Sequence, residues 1–451
     1  MTQVIRDLLE KKNKVELKRF LADQNPADIA SWIEELMEGD DLAREELLLL
    51  YRILPKDSAA DVFVEMSPET QEVLIKAFSD KELRDVLDDI YLDDTVDIIE
   101  EMPANVVMRI LKSVDADTRK NINQLLDYPE DSAGSIMTIE FVDLKKEMTV
   151  RDAFARIRAI GVDKETIYTC YVTDRNRKLL GLITVKDLLL AGYDEIVGDI
   201  MEDNVISVGT HDDQEEVANR FAKYGFMAMP VVDKEQRLVG IITVDDVIDV
   251  MQEEYTEDME VMAAIRPSSD KPYLKLRVFD VYKSRIPWLL ILMISGTFNG
   301  LILQHFESAL AAQIALTTFI PMLMDTGGNS GSQATVTAIR GLSLGEIGYG
   351  DWLRVLWKEA RVAVLCGVTL AACMLVKIIL VDGYAFPIAL TVCATLVCTI
   401  IAAKTVGCLL PILAKKIGLD PAAVAAPILT TIVDAMSLFI YFRVATAILG
   451  L

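Results

Sequence analysis

Gly181-Leu182-Ile183-Thr184-Val185-Lys186-Asp187 returns 59 residues later as Gly240-Ile241-Ile242-Thr243-Val244-Asp245-Asp246. A second echo, Ile136-Met137-Thr138 and Ile200-Met201-Glu202, is separated by 64 residues. Within each copy the same features follow in the same order. An amphipathic stretch (150–160; 214–224) precedes an apolar run (168–172; 228–232). A charged turn comes next (Asp174-Arg175-Asn176; Asp233-Lys234-Glu235), then a second apolar run and a helix. Short apolar runs bounded by turn residues read as strands, and periods near 3.6 read as helices. Residues 134–251 are therefore expected to form a β-α-β-β-α unit twice over.

Upstream, from Val4 to about Leu126, the period is helical and often interrupted. Leu54-Pro55-Lys56-Asp57-Ser58, Met66-Ser67-Pro68-Glu69, Phe78-Ser79-Asp80 and Met102-Pro103-Ala104 put Ser, Asp or Pro where N-cap or first-turn residues belong. Their spacing predicts short antiparallel helices stacked into an all-α superhelix. Downstream, residues 246–265 read as an acidic helix carrying Asp246, Asp249, Glu253, Glu254, Glu257, Asp258 and Glu260. Like charges three or four residues apart cost roughly 0.2–0.5 kcal/mol each. A solvated face and a face neutralised by bound cations both fit that pattern.

Beyond it lie five apolar stretches, 286–306, 310–339, 363–381, 387–413 and 422–448. The first holds no Asp, Glu, Lys or Arg, and about 20 apolar residues suffice to cross a bilayer. Residues 1–20 are charged and lack a secretory core, which predicts a cytosolic N-terminus. Lys275, Arg277, Lys283 and Arg285 precede the first stretch, Arg340, Arg354, Lys358 and Arg361 follow the second, and Lys415 and Lys416 follow the fourth. Glu307–Ser308 and 382–386, the opposite turns, carry no Lys or Arg. The positive-inside rule then gives five spans with an extracytoplasmic C-terminus.

Composition follows the same division. The chain of 451 residues has a formal charge of −24 and a mean hydropathy of +0.31. Residues 271–451 carry 14 Lys and Arg against 9 Asp and Glu, whereas residues 1–270 carry 31 against 60. An acidic aqueous half repels phosphate, so no nucleic-acid partner is expected, and small divalent cations are its natural ligands. With two His and no CxxC or HExxH, zinc-protease chemistry is excluded, and the six Cys read as small core residues. Gly327-Gly328-Asn329-Ser330-Gly331 lacks the Lys of a phosphate-binding loop.

Three features break the apolar stretches. Met324 to Gln333 is polar and glycine-rich, Pro427 frees a carbonyl in the fifth stretch, and Asp434 stands midway along it. An ionisable group at that depth is functional by default. Lys377 and Arg443 can snorkel to an interface, whereas Lys404 is harder to dismiss in that way.

The CBS-like repeat, the acidic helical domain before it and the five stretches after it resemble the MgtE family of magnesium channels over essentially the whole chain. The most specific residues are Pro321-Met322-Leu323 through Gly327-Gly328-Asn329-Ser330-Gly331-Ser332-Gln333, and Asp420-Pro421-Ala422 through Pro427 to Asp434. The resemblance implies an all-α superhelical N domain at 1–130, α/β CBS modules at 131–197 and 198–252, an acidic connecting (plug) helix at 253–280 and a five-helix membrane domain at 281–451. It implies a homodimer in the cell membrane, with Asp434 of both subunits holding hydrated Mg²⁺ in the pore. Regulatory Mg²⁺ would fall to Asp61, Asp93, Asp97, Asp213, Glu215, Asp246, Asp249, Glu254, Glu257, Asp258 and Asp420. Asn329 would add to the pore lining, and Asp325, an extra acid beside the glycine-rich segment, would either add a pore ligand or remain a structural group. Thr184 and Asp187, or Thr243 and Asp246, would hold the ribose of an adenine nucleotide such as ATP, unless they simply cap the following helix. Gly225 stands where a relative carries a carboxylate, which weakens any site built around it. The function expected is passive Mg²⁺ uptake gated by internal Mg²⁺, with no catalytic centre. A CBS-regulated exchanger and a non-conducting membrane sensor are the alternatives.

Overall fold

The computed structural model describes residues 1–39, 42–267 and 273–450. The linker expected over 262–275 lies partly outside them. Two compact units, Met1–Met251 and Gln252–Leu451, divide the chain.

Among the described residues the first unit opens with ten short helices: α1 (Thr2–Glu10), α2 (Lys14–Ala22), α3 (Pro26–Glu38), α4 (Arg44–Ile53), α5 (Lys56–Val64), α6 (Pro68–Ala77), α7 (Asp80–Leu87), α8 (Leu92–Glu100), α9 (Ala104–Ser113) and α10 (Ala116–Leu125). Pro55, Ser67, Ser79 and Pro103 are N-cap residues of α5, α6, α7 and α9, as the sequence predicted. At Ser79 the hydroxyl accepts from the Glu82 amide while the Glu82 carboxylate accepts from the Ser79 amide, a reciprocal cap. Each helix is too short to be stable alone and buries one apolar stripe against its neighbours. Ile29, Ile33, Leu47, Leu50, Phe63, Leu74 and Ile110 form the centre of that core.

The two repeats follow with one topology. The first contains β1 (Asp143–Lys145), α11 (Val150–Ile160), β2 (Thr169–Thr173), β3 (Leu179–Thr184) and α12 (Val185–Leu190). After the short α13 (Val197–Ile200) come β4 (Val208–Gly209), α14 (Gln214–Tyr224), β5 (Ala228–Val232), β6 (Leu238–Thr243) and α15 (Val244–Met262). In each three-stranded sheet the middle strand pairs parallel with the first and antiparallel with the third. The modules join where Thr138 bridges Ile241 and, symmetrically, Glu202 bridges Leu182. Gly181 and Gly240 permit this join. A Cβ at Gly181 would fall 2.7 Å from the Glu202 carbonyl, and one at Gly240 2.7 Å from that of Thr138. The helical core continues through Ala133 and Met137 into the second module, ending on Val217, Phe221 and Val247.

In the second unit, α16 (Val278–His305), α19 (Trp352–Leu380), α20 (Phe386–Lys416) and α21 (Pro421–Leu449) are long and apolar enough to cross a membrane. The stretch expected as one span over 310–339 is instead three elements. They are α17 (Glu307–Ala312), a 3₁₀ turn (Ile314–Phe319) and α18 (Ile320–Ser343). Gln313 ends α17 with a non-helical backbone, and Pro321 starts α18 in the first turn, where its missing N–H costs nothing. The glycine-rich segment is helical, and its small residues let α20 and α21 approach. A Cβ at Gly327 would meet Thr399 and Ser437 within 3 Å. Of the cysteines expected in the core, Cys170, Cys393 and Cys408 are buried, whereas Cys373 and Cys398 face out of this chain.

Candidate functional site

Two groups of acids stand out, one in each unit. In the first, α8 brings its N-terminal turn against both repeats. The Leu92 amide donates to the Glu140 carboxylate at 2.9 Å. Asp93 is buried and Asp94 half-buried, and both feel the charge of Asp246 at the start of α15. Glu165, from the first repeat, feels Asp246, Asp245 and Asp94. Burial is the largest cause of the resulting shifts, and like-charge repulsion adds to it. The Asp94 carboxyl is pushed up to about 7, that of Glu165 to about 8 and that of Asp246 to about 6. Asp93, Asp249 and Glu140 are raised as well, each first by burial.

Of the acids expected here, Asp93 and Asp246 converge. Asp61 is exposed but acts on Asp94, and Asp249 is exposed on α15. Asp213 caps α14, accepting the Glu215 amide at 2.9 Å, and both side chains point outward. Asp97 is exposed on α8. Glu254, Glu257, Asp258 and Asp420 belong to the second unit, where Asp420 caps α21 through the Ala422 and Ala423 amides. The sequence reading missed Asp94, Glu140, Glu165 and Asp245. Gly225 closes α14 with a left-handed backbone (φ 68°), which suits glycine better than any residue with a Cβ. Among the described residues, no three His, Cys, Asp or Glu side chains converge closely enough to ligate one ion directly.

Thr184 and Thr243 each accept a helix amide or bond the Asp three residues on, so both pairs are helix caps. They differ in surroundings. Asp187 is exposed and Thr184 half-buried, whereas Thr243 is buried and Asp246 faces Asp93, Asp94 and Glu165.

In the second unit, α18 presents two faces. Leu323, Gly327, Gly331, Ala334, Thr335 and Ala338 are buried against neighbouring helices. Asp325, Asn329 and Gln333, one helical turn apart, form a polar stripe that this chain leaves uncovered. Asp434 is half-buried midway along α21. Lys377 pairs with Asp382 at 2.7 Å and Arg443 lies over the Phe439 ring, so both avoid lone burial. Lys404 is buried against Glu359 at 3.5 Å.

Family models match along the chain. The MgtE intracellular N domain covers residues 24–131, the CBS domain 133–194 and 197–253, and the MgtE divalent cation transporter 320–444. The magnesium transporter MgtE of Thermus thermophilus is 37% identical, over 99% of this chain and 98% of that protein. That of Bacillus subtilis is 32% identical, over 95% of each. Two solved structures align with TM-scores of 0.51. The cytosolic domain of the Mg²⁺ channel MgtE in complex with ATP is 36% identical and covers 55% of this chain and 100% of its own. The soluble part of a magnesium transporter is 29% identical and covers 56% and 97%. Matched along its length by the N-domain, CBS and transporter models and 37% identical to a magnesium transporter over nearly all of both chains, this chain belongs to the MgtE family of divalent cation transporters.

Proposed function

We propose that this chain is a passive Mg²⁺ channel whose opening is set by the Mg²⁺ concentration on its cytosolic side. The uncovered stripe of Asp325, Asn329 and Gln333 on α18 carries the reading. Polar side chains at membrane depth belong against protein or water, not lipid. A second copy of the chain, set across a two-fold axis, would convert the stripe and the two Asp434 side chains into a water-filled path. Two carboxylates on such an axis neutralise a dication, and Mg²⁺ keeps most of its water, so few direct ligands suit it. The membrane potential drives the flux, at about 2.3 kcal/mol per elementary charge per 100 mV.

Gating follows from the first acidic group. Asp93, Asp94, Glu165 and Asp246 repel one another, and hydrated Mg²⁺ between α8 and the repeats would cancel that repulsion. Asp61, Asp97, Asp213, Glu215, Asp249, Glu254, Glu257, Asp258 and Asp420 would extend the sensor. Its closed form binds Mg²⁺ better than its open form, as any ligand-driven shift requires. The topology is five spans with a cytosolic N-terminus, α18 being the span that hydropathy alone underrates. ATP would bind at Thr184 and Asp187, where the Asp187 side chain is open to solvent. The Thr243–Asp246 corner faces three further carboxylates and would repel a polyphosphate. The ATP complex of the related cytosolic domain supports ATP as the ligand.

The pore reading is tested with full-length protein in liposomes. Asp434→Ala should reduce Mg²⁺ flux by at least tenfold, and undiminished flux would refute the path.

A further inference from the structure

We propose that Glu359 and Lys404 form an intramembrane positioning pair that holds α18 in the register needed for ion passage. This rests on the reading of α18 as a wall of the path. The two side chains are 14% and 5% exposed, with Nζ 3.5 Å from the carboxylate. Both sit in helices long and apolar enough to cross a membrane. Neither charge could stay at that depth without the other, because an unpaired buried charge is far costlier than a pair.

Two seams show what the pair controls. Along α19 and α20, Gly367 packs on Val397, and the Cys393 thiol contacts the Ala371 carbonyl. Glu359 and Lys404 are the next contact of the same antiparallel seam, two helical turns further on. Along α18 and α20 the helices run parallel with an offset of 72 residues. Gly327 meets Thr399, Gly331 meets Ala403, and the Thr335 hydroxyl donates to the Gly407 carbonyl at 2.9 Å. Lys404 follows Ala403 directly, so on α20 it lies about 100° around from the α18 seam. The pair therefore fixes the rotation and height of α20 at the level where α20 grips the glycine-rich segment. A Cβ at Gly407 would fall 2.4 Å from the Gly331 carbonyl, so this contact has no slack for a shift of α20.

A charge-reversal experiment on the full chain in liposomes tests the pair, with Mg²⁺ and Ca²⁺ fluxes measured separately. Glu359→Gln and Lys404→Met should each reduce Mg²⁺ flux at least tenfold and alter the Mg²⁺:Ca²⁺ ratio. Lys404→Arg, and the reversed pair Glu359→Lys with Lys404→Glu, should return flux to within threefold of wild type. Wild-type flux in the single variants would overturn the proposal, as would a reversed pair no better than either single variant. Should the single variants fail to assemble, Glu359→Leu with Lys404→Leu leaves no unpaired charge. That double variant should assemble with a lowered flux and an altered ion ratio, and wild-type values for both would overturn the proposal. Asp434 is intact throughout. Full flux in Asp434→Ala alongside a rescued reversed pair would therefore fault the path and not the pair.

Discussion

Replacing Glu165 by Gln should stabilise the Mg²⁺-free first unit, although it removes a charge from a surface. Glu165 titrates near 8 in the folded protein because it is part-buried and faces Asp246, Asp245 and Asp94. A raised carboxyl pKa contributes stability that is fully present below its unfolded value, near 4.5, and is lost as pH rises through about 8. A tenfold change in proton affinity is worth about 1.4 kcal/mol, so the rise from 4.5 to about 8 corresponds to about 5 kcal/mol. The carboxylate is only half-buried, and Asp94 and Asp246 exchange protons over an overlapping range. About 1–2 kcal/mol should therefore survive solvent screening. For a unit of this size that is about 3–6 °C in Tm. The assay is thermal unfolding of residues 1–262 in chelator at pH 8 and at pH 5, then at pH 8 with saturating Mg²⁺. The gain should appear at pH 8 in chelator, shrink at pH 5, where Glu165 is already protonated, and shrink again with Mg²⁺. A Glu165→Gln variant with no gain at pH 8, or with one gain under all three conditions, would refute the reasoning.

Gly407→Ala should cut Mg²⁺ flux and lower the thermal stability of the detergent-solubilised protein by several degrees, because its Cβ meets backbone at 2.4 Å and the carbonyl cannot yield. Ala at Gly328, whose Cβ would meet nothing, is the matched control and should leave stability near wild type. Asp187→Ala should weaken ATP binding to the soluble region at least tenfold, as read by calorimetry. Asp246→Ala should leave ATP binding within threefold of wild type while raising the Mg²⁺ needed for protection. Mg²⁺ should slow proteolysis at 127–134 and 262–275 in the full chain, and equal cleavage with and without the ion would count against the gate.

What the sequence made legible is what local chemistry decides. Helices α11 and α14 carry the bounds predicted for them, 150–160 and 214–224, because cap and apolar period agree at Thr149 and Asp213. The acidic meeting point was half legible. Asp93 and Asp246 stand out in the sequence, but Glu165 follows Asp163 and Lys164 in a charged loop, and nothing in its neighbours says that α8 packs over it. Asp94 carries one signal, its adjacency to Asp93 in a first helical turn. The partner of Lys404 was hidden differently. Glu359 precedes the stretch 363–381 that hydropathy marks, yet α19 begins at Trp352 and carries Glu359 into the bundle. Apolar runs mark where a span is free of charge, not where its helix starts. For the same reason the run over 310–339 reads as one span. Hydropathy does not register the non-helical backbone at Gln313, which only the packing of α17 and the 3₁₀ turn settles.

The treatment of charge differs between the two units, and the difference bears on the proposed path of the ion. Cations within the long helices of the membrane unit have partners or ring faces: Lys377 has Asp382, Lys404 has Glu359 and Arg443 has Phe439. Asp325 and Asp434 have no ion pair among the described residues. Lys404, which is buried, is ion-paired, whereas Asp325 on α18 and Asp434 on α21 have no counter-charge among the described residues. Those are the helices on which the uncovered polar stripe and the mid-span carboxylate lie. In the first unit uncompensated acid also gathers, but at a contact between α8 and the repeats, where it raises pKa values and opposes docking. The same deficit of positive charge can then serve two ends. In the proposed channel it would attract a passing dication in the membrane, and at the contact between α8 and the repeats it would make closure depend on one.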